Sequence, residues 1–159
     1  MGKVGDTEPD FRAGIHTSIE FFGFELAALL DWQQGGSVIN LTRFLYDISQ
    51  NAADAETTGA QRSEDFGNGM TGVYVEDASF LKVRELSLTY TLPQDVIETL
   101  DPMQRGYISL SGRNLFTFTD YSGLDPEVSN FGNRPIGRNI DVAPFPPARS
   151  VWLTIGASL

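Results

Sequence analysis

Apolar and polar residues alternate with a period of two over several parts of the chain, the pattern of β-strands that face two different media. The alternation is clearest in the final segment, where Val151, Leu153 and Ile155 alternate with Trp152 and Thr154. Residues 150–159 carry no charged side chain, although a sheet in water normally places charge on its wet face. One face of this strand is therefore predicted to meet an apolar solvent, and the other to be small and polar.

The same alternation predicts further strands, about five in all. Gly23, in the stretch FFGFE, permits a sharp reversal and predicts a hairpin with a short turn. Pro93 lacks a backbone N–H and ends the strand that precedes it. A modest connection with one helical turn then leads to the next strand. The predicted strands lie within residues 12–33, 80–92, 106–119 and 149–159.

The connections between these strands alternate between short and long. The long segments, 35–78 and 120–148, are predicted to be irregular and solvated, except for a short helix around residues 41–49. Outer-membrane barrels show this asymmetry, with short periplasmic turns and long outer loops. The predicted fold class is all-β: an antiparallel up-and-down transmembrane β-barrel segment, incomplete with about five strands, that carries two long extracellular loops.

Composition narrows the classes of partner. The chain of 159 residues has 11 Lys and Arg against 21 Asp and Glu, a formal net charge of −10, so no nucleic-acid partner is expected. It has no Cys, which excludes disulfides and thiolate metal sites. No run approaches the roughly 20 apolar residues that a membrane helix needs.

Three segments carry a resemblance to a known family. They are YVEDASFLKVRELSLTYTLP (74–93), SGRNLFTFTDYSGLDPEVSN (111–130) and the ending PFPPARSVWLTIGASL. They resemble the C-terminal part of SusC/RagA-type TonB-dependent outer-membrane receptors. The most specific part is an Asn-Leu-Phe-Thr-x-Thr-x-Tyr-Ser-Gly-x-Asp-Pro-Glu-Val signature, matched at Asn114, Leu115, Phe116, Thr117, Thr119, Tyr121, Ser122, Gly123, Asp125, Pro126, Glu127 and Val128.

The resemblance implies nutrient import across the bacterial outer membrane, with a glycan or peptide fragment as substrate. It implies as partners a SusD-like surface lipoprotein, outer-membrane lipid, TonB acting through a plug, and the remainder of the barrel and plug. Receptors of this type close with about 22 strands, so residues 1–159 are expected to be one incomplete domain of a longer reading frame. Family members usually end in Phe, whereas Leu159 stands here.

A soluble secreted β-rich module that binds carbohydrate or protein is the alternative interpretation. In such a module the same alternation packs one sheet against another. Solubility distinguishes the barrel segment from the soluble module. The module is expected to be monomeric in buffer, whereas the barrel fragment is expected to aggregate without detergent.

Several residues qualify as site candidates. Asp120, Asp125 and Glu127, with Asn130, offer oxygen ligands for calcium, although turn chemistry explains the same residues and is favoured. The stretch GNGMTG at 67–72 satisfies G-x-G-x-x-G, but a flexible loop is favoured over a dinucleotide site. His16 is the single His of the chain and is expected on the polar face of a strand. No cofactor, no metal and no enzyme activity are expected.

Three residues are weak candidates for substrate contact. Arg113 lies on the polar parity of its strand, and pairing with an acidic residue of a neighbouring strand is the favoured role. Tyr121 and Trp152 offer rings that can stack on a sugar, one from the outer loop and the other from the polar face. Phe116 and Phe118 are instead expected to contact lipid.

Overall fold

The computed structural model describes residues 2–100, 102–127 and 139–158. Val128, Asn130 and Leu159, three positions discussed above, lie outside the described residues. The chain divides into two compact units. We call Ala13–Trp32, Leu81–Phe118 and Ala148–Leu159 the sheet unit, and Met1–Arg12, Gln33–Phe80 and Thr119–Pro147 the loop unit.

Strands outnumber helices in the described part of the chain. The strands are β1 (Phe11–Phe21), β2 (Phe24–Gln34), β3 (Ser37–Asn40), β4 (Val75–Asp77), β5 (Phe80–Thr91), β6 (Arg105–Phe118), β7 (Ile140–Asp141) and β8 (Ser150–Ser158). The α-helices are α1 (Leu41–Ile48), α2 (Ala60–Gly67) and α3 (Gln94–Ile97). A π-turn covers Ala55–Gly59 and a 3-10 turn covers Thr71–Tyr74. None of the helices in residues 2–100, 102–127 and 139–158 is long and apolar enough to cross a membrane.

The turn between β1 and β2 has the form that its sequence predicts. Phe22 and Gly23 connect the strands with φ of 48° and 82°. Two consecutive positive φ values belong to a type I′ turn, whose twist matches that of the flanking strands. The Thr91 backbone N–H donates to the Gly23 carbonyl at 2.9 Å, which ties the turn to the end of β5.

The sheet unit is built around a five-stranded sheet in the order β1-β2-β5-β6-β8. The pairs β5–β6 and β6–β8 are antiparallel, and the register places Leu88 opposite Leu110 and Leu110 opposite Leu153. The five predicted strands are thus confirmed. Within the described residues β1 and β8 each have one neighbour in this sheet, so it is open.

The apolar row of β8 is exposed. Val151, Leu153 and Ile155 are 68%, 69% and 75% exposed, and Leu110 on the neighbouring strand is 51% exposed. A single exposed apolar residue is ordinary, but a contiguous apolar patch marks a surface that another apolar phase or partner covers. These side chains are therefore not the core of this chain.

A register shift interrupts the pairing of β5 with β6 between Val83 and Glu85. Asn114 on β6 has φ of 51° at this position, as expected where one strand carries an extra residue. Alternate residues no longer lie on the same face once the strand passes this bulge. The even-numbered positions of Ile108 and Leu110 therefore do not show which face Phe116 and Phe118 occupy. The expectation that Phe116 and Phe118 contact lipid stays a prediction, and the face of Ile108 and Leu110 gives it no support.

The prediction of an irregular, solvated segment at 35–78 is wrong. In the loop unit, β3 pairs with β4 and with β7, and α1 lies where the sequence predicts a helix. Asn40 caps α1 by accepting a hydrogen bond from the Arg43 backbone N–H at 2.8 Å. Val38, Ala78 and Tyr121 form a buried cluster. This core is assembled from residues far apart in the sequence, and local periodicity does not reveal it.

Candidate functional site

A buried ion pair joins the helices of the loop unit. Arg62 donates from Nε and Nη2 to the two carboxylate oxygens of Asp47, both at 2.8 Å, and from Nη1 to Asp54 at 2.9 Å. The Tyr74 hydroxyl donates to Asp47 at 3.1 Å. The hydrogen bond from Arg62 holds the pKa of Asp54 well below its usual range. The pKa of Arg62 is raised by its hydrogen bonds to Asp47 and, to a smaller extent, to Asp54.

Aromatic rings pack beside this pair. Phe44, Phe66 and Tyr74 make mutual contacts with centroid distances of 4.7, 5.4 and 5.6 Å. Tilted and edge-on pairs of this kind are favourable beyond the area that they bury. The rings pack α1 against α2 and against the 3-10 turn that contains Tyr74.

A second polar group surrounds Asp141. The Tyr121 hydroxyl donates to Asp141 Oδ2 at 2.5 Å, and the Thr42 hydroxyl donates to Oδ1. Burial, and then the hydrogen bond to Asp141, raise the pKa of Tyr121 above its usual value. Each oxygen of Asp141 therefore accepts one hydrogen bond from a side-chain hydroxyl.

Glu76 is the centre of a third group. Its Oε1 accepts from Asn40 at 3.0 Å and from the Ser122 hydroxyl at 2.7 Å, and its Oε2 accepts from the Ser122 backbone N–H at 2.8 Å. These bonds connect β3, β4 and the segment after β6. Together, the three polar groups connect segments of the loop unit that lie far apart in the sequence.

A cavity of about 490 Å³ lies in the loop unit beside α1. Its volume is within the usual range for a small-molecule site. The lining residues come from the first turns of α1 and from three further segments: Asn40, Thr42, Arg43, Tyr46, Asn51, Ala52, Ala53, Ser122, Gly123, Leu124, Asp141, Ala143 and Pro144. The Tyr46 side chain is 55% exposed, and the Arg43 guanidinium lies 3.7 Å from Glu76 and 3.8 Å from Asp54.

The predicted contact residues lie in different surroundings. Arg113 pairs with Glu85 on the neighbouring strand, Nε to Oε2 at 3.2 Å, which is the role favoured from the sequence. Trp152 is 60% exposed, and its Nε1–H donates to the Ser150 hydroxyl at 3.2 Å. Tyr121 is buried, 5% exposed, in the core of the loop unit. Its ring faces protein rather than solvent.

The acidic segment after β6 shows turn chemistry. Asp125 is buried, and its Oδ1 accepts from the Glu127 backbone N–H at 2.9 Å, an Asx-type turn. In residues 2–100, 102–127 and 139–158, no group of three or more His, Asp or Glu is placed to hold a metal ion. Asn130, the fourth proposed ligand, is outside the described residues.

Two other sequence features have plain structural settings. In the stretch GNGMTG, α2 ends at Gly67 and a 3-10 turn begins at Thr71, so a helix rather than a strand precedes these glycines. A dinucleotide site needs a strand before the glycines and a helix after them. His16 lines a cavity of about 140 Å³ in the sheet unit with Glu85 and Ser87.

Most of the cavity residues were not among the candidates from the sequence. Asn40 before the amphipathic stretch LTRFLYDI is the one available signal, since Asn at that place starts a helix. Nothing local connects Thr42 with Asp141, which lie 99 positions apart.

No protein-family model matches the chain. Over 98% of its length it is similar to TonB-dependent receptor P3 of Formosa agariphila, with 28% identity, and to TonB-dependent receptor P26 of the same organism, with 25% identity. The chain spans 17% of the length of each of these relatives.

Solved structures of similar fold include the RagAB peptide importer in its open-open and closed-closed states. The TM-score is 0.70 for both, with 20% and 23% identity, over 96% of this chain and 17% and 18% of those chains. The resemblance to SusC/RagA-type TonB-dependent receptors that the motifs predict is confirmed. These similar proteins are named as receptors and as a peptide importer.

Proposed function

We propose that this chain is the C-terminal barrel segment of a SusC-like TonB-dependent transporter that imports glycan or peptide fragments across the bacterial outer membrane. The observation that carries the proposal is the exposed apolar row of β8, with Val151, Leu153 and Ile155 between 68% and 75% exposed. Water does not favour a surface of this kind, whereas a bilayer does.

The open sheet supports a role as part of a barrel wall, which needs further strands to close. Unpaired backbone N–H and C=O groups at a sheet edge cost several kcal/mol each in hydrocarbon, so a strand in a membrane needs neighbours on both sides. β1 and β8 lie at the edges of the sheet in the described part of the chain. We therefore assign 1–159 to one incomplete domain, with β8 pairing to a first strand outside it.

The loop unit is the part proposed to face the outside and the substrate. A SusD-like surface lipoprotein covers this side, and TonB acts through a plug. The role is that of a transporter and not of an enzyme, and it requires no cofactor. Substrate selection between glycan and peptide is assigned to the loop unit and the plug together.

A chimera tests the proposal. The matching segment of TonB-dependent receptor P3 is replaced by residues 1–159, and outer-membrane insertion is measured by heat-dependent mobility and by protease resistance of the barrel. We expect a folded, inserted barrel, because the chain supplies strands with the required alternation. A chimera that accumulates as unfolded protein in the periplasm contradicts the proposal.

A soluble secreted binding module is the second candidate, and one observation favours it. The loop unit has a buried core of its own, Val38, Ala78 and Tyr121, which is what a water-soluble module needs. The isolated chain separates the two functions. A barrel segment forms aggregates in buffer that detergent disperses, whereas a module sediments as a monomer in buffer alone.

A further inference from the structure

The turn between β1 and β2 places an aromatic ring where the backbone disfavours one. Phe22 has φ of 48°. Gly and Asn adopt positive φ readily, and type I′ turns prefer them, whereas a bulky side chain in this conformation costs free energy. Phe22 is also 97% exposed, so contacts within the described part of the chain do not offset that cost. The packing of this chain therefore does not explain why a ring stands at the turn.

The strands beside the turn carry further aromatic rings that contact one another. Phe21 and Phe24 flank the turn, and their rings stack with centroids 5.8 Å apart. The Phe24 ring contacts the Tyr90 ring of β5 at a centroid distance of 4.5 Å. Phe21 is 47% exposed, and Phe24 and Tyr90 are half-buried. The three rings stabilise one another and still leave part of their surface uncovered.

This aromatic row continues across the whole sheet. The register places Tyr90 opposite Ile108, and Ile108 opposite Ile155. Residues that lie directly opposite each other on paired strands share one face. Phe21 and Phe24 therefore lie on the face of Ile155, which is 75% exposed and belongs to the apolar row of β8. The rings extend the surface that carries the proposed function to the turn between β1 and β2.

The other face of the hairpin is acidic at the same level. Glu20 and Glu25 are the neighbours of Phe21 and Phe24 along the chain, so they point to the opposite face, and both are exposed. Carboxylates require water, whereas the rings avoid it. The end of the hairpin thus has an apolar side and a wet side, which suits the boundary between hydrocarbon and water. A short turn belongs to the periplasmic side of an outer-membrane barrel.

We propose that Phe22 is a lipid anchor, whose ring inserts at the periplasmic interface of the bilayer beside Phe21, Phe24 and Tyr90. Aromatic rings are favoured at this boundary, where their apolar surface is covered and water remains near. The contact with lipid offsets the unfavourable φ of Phe22. The inference deepens the proposed function, on which it rests for the direction of the turn, and names the residue that sets the depth of this hairpin in the membrane.

Quenching by lipid tests the anchor. The chain has no Cys, so Phe22→Cys and Phe145→Cys each carry a single fluorophore. Phe145 is the matched control, because it is 96% exposed and lies in the loop unit. Each labelled full chain is reconstituted into phosphatidylcholine vesicles that contain a lipid with a nitroxide on its headgroup. We expect the nitroxide to reduce the fluorescence at position 22 and to leave it unchanged at 145. Any result in which position 22 is not quenched more than position 145 overturns the inference.

Two substitutions separate lipid contact from turn geometry. Asn suits the positive φ of a type I′ turn, so Phe22→Asn stabilises the hairpin if the turn alone matters. Phe22→Trp retains the unfavourable backbone and the ring. The measurement is the temperature at which the inserted receptor chimera loses its folded mobility. We expect Phe22→Asn to lower this temperature and Phe22→Trp to retain it. An unchanged or higher temperature for Phe22→Asn overturns the inference.

The anchor and the proposed function fail in different ways. Insertion of the chimera without stronger quenching at position 22 keeps the transporter and removes the anchor. Stronger quenching at position 22 of the full chain, with a chimera that does not insert, keeps the lipid contact of the turn and removes the transporter.

Discussion

Asp47 and Arg62 make the most demanding contact at the residue scale, because the Asp47 side chain has no exposed surface and Arg62 supplies the positive charge that faces it. The guanidinium is 15% exposed and binds both carboxylate oxygens. Bidentate geometry of this kind compensates the cost of taking both charges out of water. The pair joins the end of α1 to α2, so the shape of the loop unit depends on it.

Arg62→Gln is expected to destabilise the loop unit by about 3–5 kcal/mol, because it leaves the Asp47 carboxylate buried without its ion-pair partner. Hydrogen exchange of the Val38 and Tyr74 amides in the full chain measures the loss. The matched control is Arg43→Gln, whose ion-pair distances are 3.7 and 3.8 Å and whose side chain is 34% exposed. That change is expected to cost less than about 1 kcal/mol. Equal effects of the two substitutions would contradict this account.

Tyr121 gives the loop unit a dependence on alkaline pH. Its pKa is raised by burial and by the hydrogen bond to Asp141, so the folded unit prefers the neutral phenol. Its contribution to stability is complete below the unfolded pKa of about 10 and is lost as the pH rises above that value. Tyr121→Phe is expected to flatten the alkaline loss of stability, measured by hydrogen exchange across a pH series. Tyr46→Phe, which alters an exposed ring, leaves that loss in place, and a flattened profile there instead would refute the assignment to Tyr121.

At the scale of elements, the strands follow from local pattern. The alternation in β8 and the turn at Phe22 and Gly23 are properties of neighbouring residues, and a period of two or a pair of positive φ values needs no distant partner. The bulge at Asn114 was not predicted. The stretch RNLFTF breaks the alternation, since polar Asn114 follows polar Arg113 and apolar Phe116 follows apolar Leu115. This local signal marks the place where the pairing of β6 with β5 shifts register.

The two faces of β8 are expected to respond differently to a charge. Leu153→Lys places an ammonium group in the apolar row, where a bilayer opposes it by about 2–4 kcal/mol near the midplane. Thr154→Lys changes the next residue, on the opposite parity, and is expected to be tolerated. Outer-membrane insertion of the receptor chimera is the measurement. Equal insertion of the two variants would show that the parity has no relation to lipid.

At the scale of the whole molecule, the sequence indicates the sheet and the family but not the cavity. The motifs around Asn114 and Pro93 each lie within one continuous stretch of the chain, so the sequence alone is enough to recognise them. The cavity depends on Asn40 reaching Ser122 over 82 positions and on Thr42 reaching Asp141 over 99. Those contacts arise from tertiary folding, which explains why the cavity residues were not among the candidates from the sequence.

The central claim is that the apolar row of β8 faces lipid while the intervening residues face water. The chain has no Cys, so a single cysteine can be introduced in turn at positions 151, 152, 153, 154 and 155 of a cysteine-free chimera, and its labelling can be measured separately. Labelling by a water-soluble thiol reagent in intact outer membranes is predicted to alternate, with reaction at 152 and 154 and protection at 151, 153 and 155. Uniform labelling along the strand, or the opposite alternation, would contradict the account.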